Sequence, residues 1–84
     1  MSRYANRIVT NRKSPSNEEK YIAAYKEMNP TARRRDGLDI AAVKTKDGKN
    51  GHALLSENAN RSKDRKNHIG QDFIPDSELR KRIK

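Results

Sequence analysis

Residues 38–55, LDIAAVKTKDGKNGHALL, admit two readings, and the fold class turns on the choice. Read as a helix, Asp36 and Asp39 cap a short segment through Leu38, Ala41, Ala42 and Val43. Read as a hairpin, Ile40–Thr45 and His52–Ser56 are strands around Lys46-Asp47-Gly48-Lys49-Asn50-Gly51. Asp47-Gly48 and Asn50-Gly51 are both pairs that suit the tight turns between strands. The hairpin, over about 40–56, is the reading preferred. Two strands alone are marginally stable and need a covering element.

That cover comes from Ser14–Pro30, SPSNEEKYIAAYKEMNP, read as a helix over about 15–29. Ser14 followed by Pro15 is a start signal, and Ser16 with Glu19 is a competing capping box. Glu18 and Glu19 suit the positive end of the helix dipole. Tyr21, Ile22, Tyr25 and Met28 fall on one stripe at helical period. Pro30 restricts Asn29 and ends the run. The stripe reads first as a packing face and second as a surface for a partner.

A second helix is expected over about 76–84, with Asp76 as cap and Phe73 and Ile74 stapling its start. Leu79 and Ile83 lie one turn apart on its apolar edge. Arg80, Lys81, Arg82 and Lys84 suit its negative end.

Between and before these elements the chain is polar and basic. Residues 1–13 read as a basic N-terminal arm around Tyr4, Ile8 and Val9. Residues 56–72, SENANRSKDRKNHIGQD, read as a linker or loop, with at most a helical turn begun by Ser56, Glu57 and Ala59. The domain reading is therefore an arm at 1–14, a minimal folded core at 15–56, a polar linker at 57–72 and an amphipathic helix at 73–84.

Composition bounds the rest. Leu, Ile, Val and Phe make 13 of 84 residues, and there is no Trp. A fraction under roughly 20% with high net charge marks chains that struggle to build a core. The expected fold is thus small, α-rich or α+β, and partly disordered, with extended basic segments between the elements. The net charge is +9, from 20 Lys and Arg against 11 acids. The excess is spread over all three thirds of the chain and favours a polyanion as partner.

The expected function is a small accessory protein that binds nucleic acid or a nucleoprotein assembly through Lys and Arg contacts to phosphate, folding in part on binding. The candidates are Arg33, Arg34, Arg35, Arg61, Lys63, Arg65, Lys66, Arg80, Lys81 and Arg82. Three consecutive arginines give forked donors that match phosphate oxygens. The alternative is a protein-binding module: a regulator or inhibitor of a larger enzyme, or a structural peg in a virion or ribosome-like assembly. Its anchors would be Tyr21, Tyr25, Phe73, Leu79 and Ile83.

Other classes draw no support from the residues. No nucleophile elbow or phosphate loop is present. His52 and His68 lack a third nearby ligand, so no metal or cofactor is expected. No enzyme activity, small-molecule substrate or membrane partner is expected either. Zero cysteines exclude disulfides. The start lacks a signal-peptide apolar run, and no stretch is long enough to span a bilayer. The expected location is the cytoplasm or a virion or nucleoprotein interior.

Overall fold

A computed structural model describes residues 7–30, 32, 37–61 and 67–83. The chain runs β1 (Arg7–Asn11), α1 (Glu18–Met28), β2 (Leu38–Thr45), β3 (Asn50–Ser56), α2 (Glu57–Arg61), β4 (Asn67–Pro75) and α3 (Asp76–Arg80). The four strands close into an antiparallel barrel in chain order, with β1 paired to both β2 and β4. The expectation of an α-rich or α+β, partly disordered chain is overturned: strand outweighs helix, and the helices are short additions to a barrel.

The hairpin reading holds over a longer span than expected. β2 pairs with β3 from Leu38↔Ser56 to Lys44↔Asn50. Gly48 takes φ +92 in the connecting turn, where a side chain would be strained. Residues 1–14 and 57–72, read as an arm and a linker, contain a strand each. Val9 of β1 pairs with His68 of β4 on one side and Thr45 of β2 on the other. The linker stretch also carries α2, where the Ala59 amide donates to Ser56 Oγ at 3.1 Å and caps the turn.

Two cores explain the strand patterns. Inside the barrel lie Val9, Ala41, Val43, Ala53, Leu55 and Phe73. Outside it, α1 and α3 cover Leu54 and Ile74 with Tyr21, Ala24, Tyr25 and Leu79. β3 is therefore buried on both faces, and its apolar run does not alternate. Four strands enclose little room, so small residues line the lumen. A Cβ on Gly51 would meet the Phe73 ring at 2.5 Å, and one on Gly70 would meet Val9 Cγ2 at 2.8 Å.

β4 breaks its ladder to β3 by a register shift between the partners of His52 and Leu54. Asp72 sits there at φ 53, a left-handed conformation that Asp tolerates better than most residues. The Tyr25 hydroxyl donates to its carbonyl at 2.7 Å, and the Asn29 amide donates to its carboxylate at 3.2 Å. α1 thus holds the irregular part of the barrel wall.

Both helices are shorter than the sequence suggests. α1 starts at Glu18, after Asn17, with no side-chain cap, so neither the Ser14 cap nor the Ser16–Glu19 box forms. α3 ends at Arg80, and Asp76 is its first residue rather than its cap. In both places the acidic first residue of the helix meets a partner on β3.

Candidate nucleic-acid interface

That partner is His52. Its ring is fully buried and stacks on Tyr21, centroids 5.2 Å apart and planes 10° apart. Nδ1 lies 2.8 Å from Asp76 Oδ1, and Nε2 meets Glu18 Oε1. An imidazolium satisfies both carboxylates at once, because both of its ring nitrogens donate. Arg12, just past β1, completes the cluster by donating to Asp76 Oδ2 at 2.6 Å. Its guanidinium also donates to the carbonyls of Val43 at 2.9 Å and Gly51 at 3.2 Å. Burial works to raise the Asp76 pKa, but the His52 hydrogen bond and the charges of His52, Arg12 and Arg80 hold it below the ordinary value.

The four side chains join α1, α3, β3 and the end of β1. His52 offers no ring nitrogen to solvent, so the cluster reads as a fastening of helices to barrel. Among the described residues no group of three or more His, Cys, Asp or Glu side chains could hold a metal ion. No helix among them is long and apolar enough to cross a membrane.

The surface carries the exposed charge. Arg7, Lys44, Lys46, Lys49 and Arg80 are all exposed. Among the described residues none of the five has a carboxylate within ion-pair distance. They gather around the β2–β3 turn. Arg7 and Lys46 line one shallow depression with Ile8, Thr45 and Asp47. Lys49 and Arg80 line another with Asn50 and Ser77. Arg7 is set over the Phe73 ring, 5.8 Å from its centroid, at the mouth of the barrel. Asp76 and Glu78 share the Lys49–Arg80 depression, and the other depression holds one carboxylate, Asp47. The Thr45 hydroxyl donates to it and is the main reason its pKa lies below the ordinary value.

An open cleft of about 600 Å³ lies between α1 and β2, floored by Ile22 and Ile40 and rimmed by Arg12, Lys13 and Glu18. Its rim mixes both signs of charge.

The expected site residues scatter differently. Arg33, Arg34, Arg35, Lys63, Arg65 and Lys66 lie outside the described residues. Arg61 ends α2, and its side chain also lies outside them. Arg80, Lys81 and Arg82 are exposed, but Arg82 donates to Glu27 at 3.0 Å and Lys81 sits 4.0 Å from Glu78. The expected partner anchors Tyr21, Tyr25, Phe73 and Leu79 are buried in the two cores, and Ile83 packs against one of them. Sequence reading set Arg7 in the basic N-terminal arm and did not single out Lys44, Lys46 and Lys49. The signal was the spacing of Lys44 and Lys46, two apart on the outward face of a strand.

No family model, no curated protein and no solved structure matches this chain.

Proposed function

We propose that the protein binds nucleic acid through Lys and Arg contacts to phosphate, made from the end of the barrel where β2 turns into β3. The carrying observation is the gathering of Arg7, Lys44, Lys46, Lys49 and Arg80 around that turn; exposed Lys13, Lys20 and Lys26 also lack a carboxylate at ion-pair distance among the described residues, so the grouping rather than the lack of pairing marks this end. Cations left unpaired on a rigid scaffold attract a polyanion and release its counterions on binding. In this reading the barrel presents them from one region of its surface. The alternative of a protein-binding module has less support, because its expected anchors are occupied in the cores.

The test is fluorescence anisotropy with short labelled DNA and RNA across a salt series. Binding that weakens steeply with salt supports the proposal. Replacing Lys44, Lys46 and Lys49 by Ala should lower the slope of log affinity against log salt by about 0.9 per lost phosphate contact. Absence of binding at low salt overturns it.

A further inference from the structure

In a chain with so few large apolar residues, two isoleucines stand in solvent. Ile69 is 67% exposed and Ile8 is 47% exposed, and these are the exposed large hydrophobics among the described residues. They are direct cross-strand partners on the outer wall of the barrel, Ile8 on β1 and Ile69 on β4. Beside them a second row crosses the same wall, Lys44–Thr10–Asn67, fixed by the β1–β2 and β1–β4 registers. Lys46 flanks Ile8 in the depression they share, which Arg7 and Asp47 also line. The patch is therefore an apolar ridge with lysines along its β2 side.

We propose that the Ile8–Ile69 pair is a wedge pressed into the minor groove of duplex DNA, with Lys44 and Lys46 on the adjoining phosphates. The inference rests on the phosphate-binding reading above and names its ligand and surface. Proteins that grip the minor groove insert apolar side chains between base steps and kink the duplex. The dimensions agree. Strands lie about 4.8 Å apart, so lysines on β2 stand one strand from Ile8 and two from Ile69. A minor groove about 6 Å wide admits a two-residue ridge while its bordering phosphates meet the flank. Asn67 Oδ1 accepts from the Thr10 hydroxyl at 2.6 Å, which leaves the Asn67 amide hydrogens free to donate to groove acceptors on A·T pairs.

Charge decides between occupants. A second copy would set one +9 chain against another across a lysine-flanked patch. Every β1 and β4 neighbour is already taken in the closed barrel, so an added strand has nowhere to pair. A polyanion with an apolar-accepting groove fits both the lysines and the isoleucines.

The experiment uses the full chain and a short A·T-rich duplex DNA with TA steps, labelled at both ends for energy transfer. A duplex RNA of the same sequence and an acidic amphipathic helical peptide of Glu and Leu serve as comparison probes. Energy transfer should rise as the DNA saturates, because TA steps kink readily. The double variant Ile8→Ala, Ile69→Ala should bind about tenfold more weakly and lose the rise, with its salt slope unchanged. Ile69→Thr keeps a β-branched side chain and should act in the same direction. Lys44→Ala with Lys46→Ala should lower the salt slope by about 2 and still bend DNA at saturation. DNA bound straight, or bent equally by the isoleucine variants, overturns the wedge and leaves phosphate binding standing. Tighter binding of the RNA duplex, or of the peptide through Ile8 and Ile69, also overturns it. No binding to either nucleic acid overturns both readings.

Discussion

Asp76 Oδ1 stands 2.8 Å from Nδ1 of His52, and that contact ties the first residue of α3 to the middle of β3. Glu18 does the same for the first residue of α1 from the other edge of the ring. One buried imidazole therefore places both helices on the barrel.

Removing the imidazole leaves two carboxylates without their shared partner in a dry site. His52→Ala should cost about 3–5 kcal/mol, the usual range for breaking a buried ion pair from one side. Urea unfolding of the variant beside the parent protein checks it. A loss under about 1 kcal/mol, the typical worth of an exposed pair, would show that the cluster is not holding the helices.

Acid should loosen the same fastening. The Asp76 carboxyl is held below its ordinary value in the folded protein. Its stabilising contribution is therefore complete above about pH 4, the value for an unfolded Asp. It decays as pH falls through the lower folded value, where both states become protonated. Melting temperature against pH should bend downward below about pH 4 in the parent and less so in Asp76→Asn.

Gly51 tests the tightness of the lumen. An added Cβ would stand 2.5 Å from the Phe73 ring and 2.6 Å from the Ile74 carbonyl oxygen. The carbonyl belongs to a paired strand and cannot yield alone. Gly51→Ala should cost about 1–3 kcal/mol, in the range of overpacked cores. Gly48→Ala meets no atom within 4 Å but sits at φ +92, so its smaller cost, about 1 kcal/mol, comes from backbone strain alone. Thermal melts of both variants separate the two effects.

Tyr25 supports the break in β4. Its hydroxyl donates to the carbonyl of Asp72 at 2.7 Å from a fully buried ring. Tyr25→Phe keeps the ring and removes that hydrogen bond. The expected loss is about 1 kcal/mol, and amide exchange should quicken around Asp72 before it does elsewhere.

The hairpin and the core of α1 were legible because their signals are local. Asp47-Gly48 marks the turn, and Tyr21 and Tyr25 repeat at helical spacing. β1 and β4 were not, because neither is a strand by its own pattern. β1 has a single buried residue, Val9, and β4 carries Gly70 and the Asp72 irregularity. Each becomes a strand through the other, across about sixty residues of chain. β3 was ambiguous for a related reason: two cores bury both of its faces, which erases alternation. Glu18 and Asp76, read as dipole and cap residues, also meet His52, contacts made across 34 and 24 residues that no local signal reveals. The exposed lysines became visible as a group only once β2 was known to face outward at Lys44.

The seam between Arg7–Thr10 and Asn67–Gly70 joins the first strand of the chain order to the last. Such a closure carries a large loop entropy and is a slow step, made after the local hairpin is in place. Until it forms, Val9 and Phe73 lie in an unsealed trough. The molecule should consequently behave like a buckled strap: a nick or deletion within β4 undoes the buckle and leaves β1 held to the sheet only by its three pairs with β2.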